Sequence, residues 1–428
     1  MSRANSAFAV RSLAPGVSLH VQSSTKHKTN RVYLYWVGDL DSDVTLRAML
    51  PAVLQRGTRS FPNMREVTRH LEMLYGASLF GEVMKVGERH VIVFRIEFAN
   101  DNYLPAGESI LKPVLEFLGE LLREPHREGD YFPKAVVEQE TENHRRFIEG
   151  LLNDKRSYAV QRCLEETCGD EPYRLYEYGR VADLEHVNPA RLTEVWRKNV
   201  EGAPTHIYFS GDLEEEPAAA MLASLVEERF DPPFEIRPLG ELKGAGNPRE
   251  VEEQLDVQQA KLVMSYRTRT RHGDPLLEPL VLANGVLGLF PHSKLFQNVR
   301  EAASLCYYAS SSLERTHGLL FISSGIDTGN REQAQTLIQK QVEDLQQGNI
   351  SDEELDATRK AFENRLLMLE DSPGTQMDID LSWRLAGVEY DHDAYRRRLL
   401  ETSRDRVVEA ASRLELDTVY FLHPGKEK

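Results

Sequence analysis

Leu295-Phe296-Gln297-Asn298-Val299-Arg300-Glu301-Ala302-Ala303-Ser304-Leu305-Cys306-Tyr307 is the stretch that decides how this chain reads. An amphipathic helix is expected from Leu295 to Ser304, giving way to a strand from Tyr307 to Ser311. Arg300 and Tyr307 therefore stand seven residues apart across a helix-to-strand junction. Upstream, Lys261-Leu262-Val263-Met264-Ser265-Tyr266 reads as a strand and Leu276 to Leu287 as an apolar helix. Downstream come a strand over Leu319 to Ile326 and an amphipathic helix over Ala334 to Leu345. A further helix restarts at Ser351, with Glu354 in the capping-box position, and runs towards Leu369 before Ser372-Pro373 stops it.

The same order occurs once before. Arg31 to Val37 reads as a strand ended by Gly38, and Leu46 to Leu54 as an apolar helix. Met64 to Tyr75 carries Val67, Leu71 and Leu74 at helical spacing, and Gly76 to Phe80 breaks it. His90 to Phe98 is a second strand, and Leu111, Leu115, Leu118 and Leu122 mark an amphipathic helix. The offset between the halves is 261 − 31 = 230 at the first strand and 319 − 90 = 229 at the last. Constant order at near-constant offset points to a duplicated unit. The first half closes with a strand over Ile207 to Ser210, Gly211-Asp212-Leu213, and a helix near Ala218 to Arg229. Asp231-Pro232-Pro233, then Gly240, Gly244, Gly246 and Pro248, read as a linker. The expected architecture is α+β: two homologous domains, each a mostly antiparallel sheet packed with helices. The domains fall at 1–230 and 251–428, with the linker at 231–250.

At 428 residues two domains are the natural expectation, and 41% hydrophobic with 28% charged residues argues for a folded protein throughout. The formal charge of −16 argues against a nucleic-acid surface, which needs Lys and Arg against phosphate. Its plainest role is solubility. Cys163, Cys168 and Cys306 form neither a disulfide framework nor a CxxC pair, so buried free thiols in a reducing compartment are expected. Met1 to Phe8 lacks an apolar core of signal-peptide length. Leu276 to Phe290 is interrupted by Glu278, Pro279 and Asn284, and reads as a buried helix and not a membrane span. The cytoplasm of a prokaryote is the expected location.

From Leu295 through Tyr307, and on to Gly325-Ile326-Asp327, the second half resembles the substrate-contacting element of the pitrilysin family, the zinc peptidases that include the mitochondrial processing peptidases. The first half of such an enzyme carries H-x-x-E-H, in which two histidines one turn apart hold zinc and the glutamate activates water. Aligning on Arg56-Gly57-Thr58, which resembles the K-G-T after that motif, puts Ala48 and Ala52 at the histidine positions and Pro51 at the glutamate. Alanine has no donor atom, and Pro51 removes a backbone N–H inside the helix and is expected to kink it. The resemblance, which covers nearly the whole chain, thus implies a zinc-less bacterial subunit. It implies no metal or other cofactor in this chain, and zinc in a homologous partner. It also implies that Arg300 donates to a peptide carbonyl and that the Tyr307 hydroxyl stabilises the oxyanion opposite the zinc-bound water.

Each feature has a plainer reading. Arg300 also fits a helix-end cation, and Tyr307 a tyrosine at a sheet rim. Glu138, Glu140 and Glu142, near the family's third ligand, read as a solvated helix face. His70 with Glu72, His144 near Glu140, and Glu185-His186 lack His-x3-His spacing. His292-Ser293 has no acid to orient the imidazole. The turn Leu287 to Ser293 departs from the family's glycine-rich turn, keeping only Gly288. The resulting expectation is a non-catalytic subunit of a heterodimeric zinc peptidase. It acts on peptide substrate, binds neither nucleic acid nor membrane, and self-associates when the partner is absent. A structural assembly role and a stand-alone hydrolase with an unrecognised metal site are the alternatives.

Overall fold

The computed structural model describes residues 8–226 and 233–424. These form two compact units whose boundaries cut across chain order. Residues 150–174 belong to the second unit with 239–372 and 382–428, while 373–381 belong to the first with 1–149 and 175–238.

The first unit begins with β1 (Ala9–Ala14), β2 (Val17–Ser23) and β3 (Thr29–Asp39), followed by α1 (Val44–Leu54) and α2 (Met64–Met73). A hairpin of β4 (Ser78–Val86) and β5 (Arg89–Ala99) leads to α3 (Leu111–Arg123) and α4 (Lys134–Gly150). The next helix, α5 (Lys155–Cys168), belongs to the second unit, and the first resumes with α6 (Pro189–Gly202), β6 (Thr205–Gly211) and α7 (Glu215–Leu222). The sheet order is β1-β2-β6-β3-β5-β4, antiparallel except for the β2/β6 pair. Alternation along β3 explains its two faces. Val32, Leu34 and Trp36 enter the helix-covered core with Leu115, Leu118 and Leu122 of α3. Each such fully buried apolar side chain stabilises the fold by roughly 1.5–3 kcal/mol. From the same strand, Tyr35 donates its hydroxyl to Asp378 (2.7 Å), and from β6 Tyr208 donates to Asp380 (2.6 Å).

The second unit holds α5, β7 (Arg249–Gln254), β8 (Ala260–Arg267) and α8 (Leu277–Asn284). Then come β9 (Cys306–Glu314), β10 (Leu319–Ile326), α9 (Arg331–Gln346) and α10 (Asp352–Leu369). The chain continues through α11 (Pro373–Leu385), α12 (His392–Leu400), α13 (Arg404–Ala411) and β11 (Glu415–His423). The sheet order β7-β11-β8-β10-β9 repeats β2-β6-β3-β5-β4, with the single parallel pair in the same place. The duplication read from the offset is therefore a duplication of topology. All of α8 is buried, as its apolar run requires. Ser351 and Glu354 form the reciprocal capping box at the start of α10.

Two segments differ from the α-helical expectation. Gly285–Leu289 and Leu295–Ala302 are wound as π-helix. The first runs beside β9, where a side chain on Gly288 would lie 2.6 Å from the Ser311 amide and 2.6 Å from Leu295. A widened turn and a glycine fit that close approach. The expected helix to Arg229 ends at Leu222 in the described residues, and 227–232 lie outside them. Among the described residues, no helix is long and apolar enough to cross a membrane.

Candidate functional site

In the second unit, the junction between Arg300 and Tyr307 is built by a helix end and a bulge. The Ser304 amide donates to the Arg300 carbonyl (3.1 Å) and the Leu305 amide to the Val299 carbonyl (3.2 Å). Ser304 sits at φ 53°, the left-handed position that ends many helices. The chain then enters β9, the edge strand. There Cys306 pairs with Ile326 and Tyr308 with Gly325, so Tyr307 is the extra residue of a β-bulge with no partner across the ladder. The insertion re-aims its side chain, which is 67% exposed while its neighbour Cys306 is buried. Tyr308 is anchored instead: Arg156 of α5 lies 4.3 Å from its ring centroid. Gly325 leaves room for that ring, since a Cβ there would meet it at 2.6 Å.

Arg300 projects from the last turn of its π-helical segment. Its guanidinium stacks 4.5 Å over Phe296 and reaches Glu301 at 3.5 Å. Burial pushes the Cys306 thiol up to about 11, and the nearby Arg300 guanidinium opposes that shift. The arginine thus stands close to the strand start that carries Tyr307. The preceding turn is tied down elsewhere. His292 contacts the Thr358 hydroxyl (3.0 Å), and the Lys294 ammonium pairs with Glu354 (2.9 Å). His292 therefore has a structural partner and does not orient Ser293.

In the first unit, α1 carries Ala48, Pro51 and Ala52 without interruption of the helix. Ala48 and Pro51 are buried and Ala52 is exposed. The Gln55 side chain donates to the Pro51 carbonyl (2.8 Å), satisfying one acceptor at the helix end. The downstream acidic residues each have their own cation. Glu138 meets Lys134 and Glu142 meets Arg146 on the surface, whereas Glu140 is buried and bound by Arg56. A solvated position is thus right for Glu138, while Glu142 is half-buried. Glu140 is a buried carboxylate already neutralised by a guanidinium.

Of His70, His144 and His186, two have partners, and His186 is exposed at the end of a short 3-10 turn. His70 stacks on Phe61 at 4.1 Å, and His144 bonds the Tyr178 carbonyl at 2.8 Å. One grouping lay beyond sequence reasoning. Buried Cys168, Glu171 and His317 of the second unit bring possible ligand atoms within 4.8 Å of one another. His317 contacts Glu171 at 2.8 Å, and Arg267 grips the same carboxylate at 2.6 and 3.2 Å while also reaching Asp417 at 3.0 Å. Burial alone would raise the Glu171 carboxyl, but His317 and Arg267 hold it down at about 2. Arg267 already supplies the cation that a metal would bring, so the cluster reads as a structural ionic hub. The three cysteines are buried thiols outside any disulfide.

Comparison with known proteins bears on this arrangement. Residues 186–362 match the profile of the Peptidase M16 inactive domain. The chain is 33% identical over 413 residues, 95% of its length and 96% of the relative's, to the probable inactive metalloprotease YmfF of Bacillus subtilis. It is 27% identical over 124 residues to the uncharacterized zinc protease YmxG of the same organism, covering 28% of this chain and 30% of that one. A conserved protein from Enterococcus faecalis V583 superimposes with a TM-score of 0.91 at 28% identity over 98% of this chain and 99% of that one. A Helicobacter pylori protease shares the fold alone, with a TM-score of 0.80 at 15% identity over 97% and 99% of the two chains. The chain, which lacks the histidines and glutamate of the zinc motif, belongs to the M16 peptidase family, the pitrilysin-like peptidases.

Proposed function

We propose that this chain is the zinc-less subunit of a two-chain peptidase and lends Tyr307 and Arg300 to peptide held at a zinc-carrying homologue. The observation that carries the reading is Tyr307: a bulge on an edge strand leaves it exposed, seven residues after Arg300, in a chain with Ala48, Pro51 and Ala52 at the zinc-motif positions. A scaffold has no chemical need for that pair. The partial likeness to a zinc protease supports the existence of a homologous partner of the required kind. The buried thiols support a reducing, cytoplasmic setting.

Zinc in the partner would supply the activated water. In this chain Tyr307 donates its O–H to the oxygen that gains charge as the carbonyl becomes tetrahedral. Arg300 donates to a backbone carbonyl of the peptide and fixes its register. The two variants therefore separate. In the reconstituted pair, Tyr307→Phe should lower kcat by about 10²–10³ with little change in KM. Arg300→Ala should raise KM more than it lowers kcat, because its contact exists already in the ground state. A peptide-cleavage assay, with complex formation followed separately, decides. Wild-type rates for both variants would return these residues to a rim tyrosine and a helix-end cation, and favour the assembly role.

A further inference from the structure

The first unit contains a cavity whose lining includes none of the candidate site residues described above. It encloses about 300 Å³, the lower end of the range for small-molecule sites. Its floor is apolar: Leu34 and Trp36 of β3, Trp196 and Val200 of α6, and Leu225. Half-buried Arg123, Arg127 and Arg197 also line it, against one glutamate, Glu201.

These arginines are unusual on a chain with a formal charge of −16. Among the described residues, their contacts are to neutral groups. Arg123 donates to the Ser224 carbonyl (2.7 Å), Arg197 donates to the Asp130 carbonyl (3.1 Å), and Arg127 lies 5.3 Å over the Trp196 ring. Arg123 also sits in the last turn of α3, where it complements the helix dipole. Arg127 and Arg197 have no comparable helix-end role. Two guanidiniums that no carboxylate pairs among the described residues, at an indole-lined cavity, match a ligand with an anionic head and a short apolar body. We infer that this cavity binds a small apolar carboxylate, with the head between Arg127 and Arg197 and the body against Trp36 and Val200.

The test uses the isolated full chain, octanoate as the probe and 1-octanol as its neutral counterpart. Two of the three tryptophans line the cavity, so their emission reports occupancy directly. Octanoate should give a saturable emission change and a one-to-one calorimetric isotherm, with 1-octanol at least tenfold weaker. The double variant Arg127→Gln, Arg197→Gln should lose at least tenfold in octanoate affinity and leave 1-octanol unchanged. Val200→Phe, which fills the cavity, should abolish both. Circular dichroism and Tm establish that each variant is folded. No saturable octanoate signal overturns the inference, as does equal affinity for octanoate and octanol or an unaffected double variant.

Discussion

At the scale of single residues, the ionisable groups that tie each unit internally sit far apart in sequence and close in space. Glu171 meets His317 across 146 positions and Arg267 across 96, so nothing in the local sequence announces the hub. The same is true of His90 in the first unit. Its Nδ1 accepts from Arg47 (3.1 Å), which leaves the proton on Nε2 facing the Glu177 carbonyl (2.8 Å). Burial, reinforced by the Arg47 charge, pushes this imidazole down to about 3. Both groups have lowered pKa values in the folded state, so below its ordinary pKa each binds more protons unfolded than folded, and stability falls as pH falls. For His90 the loss runs from about pH 6.5 towards 3, and for Glu171 from about 4.5 towards 2. Urea midpoints between pH 7.5 and 3.5 should decline with acid. His90→Gln should flatten the segment above pH 4.5, and an unchanged slope there would refute this assignment. By contrast, the Arg300/Tyr307 spacing was legible, because it depends only on sequence neighbours. The bulge that exposes Tyr307 was not, because a bulge is a property of two paired strands.

At the scale of elements, legibility followed burial only in part: β2 and β11 are largely buried and went unread, whereas the edge strand β9 was read. β3, β5, β8 and β10 bury many residues and were read from their β-branched and aromatic runs. β1, β4 and β7 lie towards or at sheet edges and are largely exposed or half-buried, so no apolar period marks them. Arg249-Glu250-Val251-Glu252-Glu253-Gln254 reads as surface, yet it pairs in parallel with β11. The π-helical winding at Gly285–Leu289 was illegible for a related reason: Gly288 there lies against β9, a tertiary fact. The α10 capping box, being local, was read correctly. It also does more than end a helix, since Glu354 bonds the Ser351 amide (2.8 Å) and Lys294 (2.9 Å) together. Ser351→Ala should therefore cost about 1 kcal/mol by equilibrium unfolding. A neutral result would mean that Lys294 alone orients Glu354.

At the scale of the whole molecule, the duplicated sheet topology frames the question of what was lost and what was kept. Two copies of one topology can diverge independently. On the proposed reading the first copy carries Ala48, Pro51 and Ala52 in place of the ligands and the base, and in the same unit the buried carboxylate of Glu140 is bound by Arg56. The second copy keeps an arginine and an exposed tyrosine at the helix-to-strand junction. If the function lies between two chains, the isolated protein should be inert and the pair active. Elemental analysis of the purified chain should find no stoichiometric zinc, and it should cleave no peptide alone. One tightly held zinc per chain would instead support the stand-alone hydrolase, with Cys168, Glu171 and His317 the first residues to substitute. Mixed with a zinc-carrying homologue at micromolar concentration, the chain should sediment as a heterodimer, whereas alone it should show weaker self-association. Activity should then appear in proportion to complex formed. Absence of a complex would count against the two-chain reading. A complex without activity would leave the assembly role as the reading that accounts for both results.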